Sequence, residues 1–443
     1  MRKRFVGIIA AGLFTAVPAM AQEAPRTAAP NYNCDFQPSC EVAPGVYGKL
    51  ETPVTSKFKL SIGGFVKLDY AYNSVNFGNS YPARAPVQVP KMSSLQGQAD
   101  QSVFTARQSR LWFKVAGPTF LGAKTNALVE ADFYGAGASN EAADFRLRHA
   151  YGSIDWVNTQ ILFGQTNDIF GPAIPSSVDF SHGAPYGTPN QPRVPQIRVT
   201  QKVNLNADNA LKLVVGVQNP PQDNYTATGG TYGTVVNVAG QAMLVSKALG
   251  VGPGFYGMAM NSFTAGVFGL WGSEKKTLAT GDKSIDSWGY GIYTFVPVLK
   301  SKDGKGRAMT MSFEAQAFLA ANMAFNSATA GTTVGAAATP TGAKGYGLYG
   351  QVIFYPIQEL GLTAGYERRN ASNYASYGDN FEKSNTNIYF NVAYDLNAAV
   401  RVAAEYQNLD TQYGHVVDGK DTLKGLSGTG TASVARLALY YFF

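Results

Sequence analysis

Beyond residue 21 the chain has no run of about 18 apolar residues, so no single helix there is expected to cross a bilayer. Charged residues make up only 15% of the sequence, the net charge is +7, and no basic cluster or nucleic-acid motif occurs, so a nucleic-acid partner is not expected. Histidine is scarce: His149, His182 and His415 stand alone, with no metal-ligand partner at useful spacing, so neither a metal nor a cofactor is expected. Gly345-Tyr346-Gly347-Leu348-Tyr349-Gly350 matches a dinucleotide fingerprint but lies inside a strand pattern with no helix after it, and fails that test. The one candidate for rim catalysis is His182 near Asp179 and Ser181, too little for an enzyme reading. What is abundant is glycine (48), tyrosine (25) and phenylalanine (26), which suits strands, tight turns and aromatic girdles.

The two ends are informative. Met1-Arg2-Lys3-Arg4, an apolar stretch from Phe5 to Pro18 and Ala19-Met20-Ala21 read as a secretory signal peptide spanning residues 1–21. Its removal leaves 422 residues (443 − 21) at a charge of +4 (7 − 3). Residues 22–57 read as a periplasmic segment. In it Cys34 and Cys40 predict one disulfide in an oxidising compartment, pinning a small local turn. At the other end Ala435, Leu437, Leu439 and Tyr441 alternate up to a terminal Phe443, one apolar face of a strand. This ending resembles the signal read by the bacterial outer-membrane barrel assembly machinery.

From residue 58 to 443 alternating segments recur, among them Lys59–Tyr72, Phe104–Ala116, Asp144–Trp156, Val235–Lys247, Ser262–Ser273 and Ser287–Leu299. The total is about sixteen, an even number suited to an all-β antiparallel transmembrane barrel with a water channel. Connections alternate between short ones, such as Asn206–Asn209 and Asn397–Ala399, and long ones, such as Ala371–Asn385 and Asp168–Val194, as periplasmic turns and external loops do. In sixteen-stranded porins the loop at the position of residues 169–193 folds into the lumen, and order along the chain predicts the same here.

Strand parity, with the apolar face turned to outer-membrane lipid, places Lys67, Arg110, Lys114, Arg146, Arg148, Arg198, Lys202, Arg369, Arg401 and Arg436 in the lumen. The acids there are Asp69, Glu130, Asp132, Glu314, Glu367 and Glu405, an excess of four positive charges (10 − 6). Arg146 and Arg148 fall on one face, roughly 7 Å apart along the strand. Beside Arg198 and Lys202 they predict a basic ladder that draws anions, or else pairs with Glu130 and Asp132 to stiffen the wall. Arg107 and Arg368 carry lipid parity near the external strand ends, where snorkelling is cheap. His149 also carries outward parity, which predicts either an oligomer interface or a bulge that shifts the register.

Four segments, Ser61–Asp69, Ala106–Arg110, Phe145–Gly152 and Leu162–Thr166, resemble DcaP-type outer-membrane porins. The resemblance covers the first five strands. It implies a homotrimer passing small anionic solutes, dicarboxylates and aromatic acids among them, with Arg110, Arg146 and Arg148 lining the pore. The family often carries a heptad-bearing periplasmic segment, whereas residues 22–57 show no heptads. The functional expectation is a passive, anion-preferring outer-membrane channel. The rival is a non-conducting barrel that sheathes a partner protein.

Overall fold

The computed structural model describes residues 58–77, 89–135, 144–178, 193–219, 231–254, 259–278, 281–322, 333–334, 341–342, 344–372, 382–414, 416–417, 420–421 and 428–443. The signal peptide, Cys34, Cys40, His182 and most of the 169–193 loop lie outside them.

The strands follow in chain order: β1 (Lys59–Asn73), β2 (Gln101–Thr105), β3 (Arg110–Ala116), β4 (Lys124–Asp132), β5 (Arg146–Asp155), β6 (Thr159–Asn167), β7 (Arg193–Asn204) and β8 (Asn209–Gln218). The second half gives β9 (Thr231–Gly252), β10 (Asn261–Leu278), β11 (Gly281–Leu299), β12 (Thr310–Ala321), the small hairpin β13 (Thr333–Val334) and β14 (Thr341–Gly342), β15 (Lys344–Ile357) and β16 (Leu360–Ala371). It ends with β17 (Glu382–Asp395), β18 (Val400–Tyr413), a second small hairpin of β19 (Val416–Val417) and β20 (Lys420–Asp421), and β21 (Gly428–Phe442). A four-residue helix, α1 (Leu95–Gln98), is capped by the Ser94 hydroxyl, which accepts from Gly97 N.

Seventeen strands form one antiparallel sheet closed on itself. β2 and β3 are two halves of one wall crossing, interrupted at 106–109 and both paired with β1, so the barrel has sixteen staves. The single strand expected over Phe104–Ala116 is therefore broken, and those expected at Val235–Lys247, Ser262–Ser273 and Ser287–Leu299 extend further at one or both ends.

Closure is made by the ends of the barrel. β21 pairs with β1 from Val434–Asn73 down to Phe442–Phe65, and Gly64 exchanges two backbone hydrogen bonds with Phe443 (3.0 and 3.1 Å). Position 64 must be glycine, because a Cβ there would meet the Arg110 carbonyl oxygen at 2.2 Å. With no free edge left, each backbone group of the wall finds its partner in a neighbouring stave.

Alternation sorts side chains as the sequence predicts. On β1 Val66 and Leu68 are exposed outward while Lys67 and Asp69 are fully buried inward. On β21 Leu439 and Tyr441 face outward, while Tyr440 and Phe442 pack inward with Phe65. Short turns are set by side-chain acceptors. Asn206 Oδ1 accepts from the amides of Asp208 and Asn209, Asn397 Oδ1 from Ala399 and Val400, and Asp303 Oδ1 from Lys305 and Gly306.

Candidate functional site: the barrel interior

β3, β4 and β5 bring three arginines onto two carboxylates. Arg146 grips Asp132 with both arms of its fork, Nε to Oδ1 at 2.9 Å and Nη2 to Oδ2 at 2.6 Å. Arg148 reaches Glu130 through Nε at 2.7 Å and Asp132 through Nη1 at 2.7 Å. Arg110 Nη1 lies 3.6 Å from Glu130. Charge-assisted, two-pronged contacts of this kind fix the guanidinium planes as well as their charge. The cluster keeps one positive charge in excess (3 − 2).

A β-bulge shapes this cluster. Glu130 lies opposite His149 and Ala131 opposite Leu147, so Arg148 is the extra residue in the backbone register between β4 and β5. The extra residue resets the parity of β5 beyond it. The outward position expected for His149 is thus corrected. It is buried, faces the residue across from it on the Glu130 side, and its Nδ1 lies 3.0 Å from Thr166 Oγ1 on β6.

Residues 169–178, the described part of the loop after β6, turn inward. Ile169 and Phe170 are fully buried in an apolar cluster with Val214, Met243, Phe268 and Phe318. The Phe170 ring meets Phe268 and Phe318 edge-on at 5.0 and 5.9 Å. It lies against Gly289, where an added Cβ would come within 2.5 Å of the ring. Further along, Ser176 N donates to Gln351 Oε1 (2.8 Å), and Val178 N donates to Glu405 Oε2 (2.7 Å). The Val178 carbonyl accepts from Lys67 Nζ at 2.7 Å. Ten residues therefore span the interior from β8 round to β1.

Of the ten cations placed in the lumen by parity, Lys67, Arg110, Arg148, Arg198, Arg369, Arg401 and Arg436 are buried on the inner side, while Lys114, Arg146 and Lys202 are half-buried. Lys67 pairs with Asp69 at 2.8 Å, and Lys114 Nζ stands 4.8 Å over the Trp112 ring. Arg369 lies 3.5 Å from Glu382, and Arg401 Nε 2.6 Å from Asp395. Arg436 sits opposite Glu405 across β18 and β21.

Four interior acids escaped the parity reading: Asp155, Asp168, Glu382 and Asp395. Glu382 fell within a stretch read as loop, and Asp168 follows the last residue of β6. Asp155 and Asp395 end their strands, and the Asp395–Arg401 pairing across a short turn was the one signal that register alone could have given. Parity also passed over cations on the same face, Lys124 across from Asp155 and Lys212 across from Lys202, so the useful reading of the interior charge is local: cations gather on β3 to β8, and the Glu405 carboxylate holds the loop.

The wider comparisons agree with this architecture. The sequence model of a family described as DcaP outer membrane protein matches residues 32–238. The crystal structure of the outer membrane channel DcaP of Acinetobacter baumannii is similar over 89% of this chain and 99% of that chain, at 19% identity and a TM-score of 0.67. An anion-selective porin from Comamonas acidovorans is similar over 87% of this chain and 100% of that chain, at 10% identity and a TM-score of 0.53. Among curated proteins no significant match was found.

Proposed function

We propose that this chain, whose residues 32–238 match the DcaP outer membrane protein model, is a passive porin of the bacterial outer membrane that favours small anions such as carboxylates. The family and the porin-like fold support a porin role. The anion preference rests on one observation, the uneven interior. Residues 169–178 are anchored through the Glu405 carboxylate and through side-chain amides such as Gln316 and Gln351, and reach β1 at Lys67. Arg110, Arg146 and Arg148 stand on β3 and β5, away from those anchors, with a charge of one to spare. A solute passing between them meets a positive wall in a narrow, low-dielectric path, where fixed charge selects by field and by direct pairing.

The channel needs no cofactor and performs no catalysis in this reading. Its apolar outer belt meets outer-membrane lipid, and the strand ending at Phe443 is what the barrel assembly machinery would recognise. A homotrimer is proposed on the family resemblance. The sheathing alternative is disfavoured by the loop, since residues 169–178 already occupy the interior that a partner protein would need.

Single-channel recording from purified protein in planar bilayers tests the porin reading. Conductance steps grouped in threes are expected. A folded barrel that never conducts would leave the sheathing role as the better account.

A further inference from the structure

Buried arginines in this barrel are answered by carboxylates at Arg110, Arg148, Arg369 and Arg401, and Arg436 faces Glu405 in register. Arg198 on β7 is the exception. It is 2% exposed, its Nε is sealed from solvent without a hydrogen-bond partner, and among the described residues it forms no ion pair. The ionisable group that acts on it is Tyr151, not an acid.

An arginine cannot escape such a position by losing its proton. A buried charge left uncompensated is among the costliest features a fold can carry. Two residues along the same face, Thr200 is fully buried and its hydroxyl likewise has no partner. The guanidinium Nε and the hydroxyl, both donors and both without a hydrogen-bond partner, belong to residues roughly 7 Å apart on one strand face. The surroundings are close and carry no carboxylate in register: Gln160 lies across from Thr200, and Gln196 precedes Arg198 on the same face. Leu162, fully buried, lies across from Arg198 on β6, and Gly216 lies across on β8. A Cβ at Gly216 would come within 2.7 Å of both Arg198 Cβ and Ile169 Cδ1, so the root of the inward loop packs beside the arginine.

We propose that Arg198 and Thr200 hold a resident small anion, chloride or the carboxylate head of a solute, beside the root of the inward loop. The inference rests on the anion-porin reading and deepens it. Arg110, Arg146 and Arg148 share Glu130 and Asp132 and each already holds a carboxylate, so they contribute field, and the binding step falls to Arg198. Occupancy of one site makes transport saturable, since an ion must leave before the next one binds.

The test is conductance and reversal potential of the purified protein across potassium chloride concentrations, for wild type, R198Q, R198K and T200V. Wild type is expected to favour chloride and to saturate. R198Q should lose the saturation and lower the anion-to-cation permeability ratio several-fold, R198K should keep most of both, and T200V should move half-saturation to several-fold higher chloride. An anion-selective wild type with unchanged R198Q and T200V channels means that water alone fills the site, and overturns the inference while leaving the porin reading intact. A wild type without anion preference overturns the anion reading and this inference together. Should R198Q fail to fold, T200V decides, because it removes a hydroxyl at nearly constant shape.

Discussion

Single residues in this barrel act through the company they keep. Arg148 is fully buried and bridges Glu130 and Asp132, whereas Arg146 is 24% exposed and holds Asp132 alone. Removing one partner from a buried charged network costs about 3–5 kcal/mol, while a partly exposed pair contributes about 1 kcal/mol or less. Arg148→Ala should therefore lower the unfolding midpoint in urea far more than Arg146→Ala, and equal losses would contradict the burial argument. Gly216→Val adds bulk where even a Cβ has no space. Overpacking of this kind costs about 1–3 kcal/mol, and the same urea titration would show it.

Elements are held by devices of different kinds. The inward loop hangs on Phe170, whose truncation to alanine should cost about 3–5 kcal/mol in local packing. The expected readout for Phe170→Ala is a noisier channel of larger conductance, and an unchanged current trace would mean that the loop is held elsewhere. The turn between β11 and β12 depends on Asp303. Backbone amides of Gly306 and Lys305, with the Ser301 hydroxyl, hold its carboxyl down to about 2 from the ordinary 3.8. A depressed folded value means that its contribution is complete above about pH 4 and is lost as pH falls toward 2. The stability difference between wild type and Asp303→Asn should shrink over that window, as read by denaturant unfolding at each pH.

How legible these elements were differs by kind. Strand alternation carries over directly into exposure, as at Val66 against Lys67, because lipid and lumen demand opposite chemistry from adjacent residues. The break at 106–109 left no period in the sequence to read, whereas the misfit of His149 did point to a bulge, one of the two explanations it allowed and the one found at Arg148. One extra residue was enough to place His149 on the wrong face. Several acids that parity placed beside the cations are the partners seen, Asp69 for Lys67 and Glu130 and Asp132 for the three arginines, whereas Glu382 and Asp395 were passed over. Glu382 opens a strand that was read as starting at Thr386, four residues later, so it fell in the loop, whereas Asp395 lay inside the strand and was simply not assigned.

At the scale of the whole molecule, closure and asymmetry are the two governing features. Closure depends on β21 meeting β1, with Phe443 bonded to Gly64. Deleting Phe443 removes both of those hydrogen bonds and the terminal outward aromatic. It should reduce the yield of heat-modifiable, folded barrel in outer-membrane fractions, and an unchanged yield would show that the last residue is dispensable for assembly. Asymmetry is what makes a channel out of a closed wall. Residues 169–178 lie along one arc of the interior, and in the proposed channel the arginines of β3 to β7 are left to face the solute.

The most direct measurement is the reversal potential of the wild-type channel in a tenfold potassium chloride gradient. A potential displaced toward the chloride equilibrium value is the result this account predicts. A displacement toward the potassium value would contradict it, and would mean that the carboxylates anchoring the loop, not the arginines across from them, set the field that a passing ion meets.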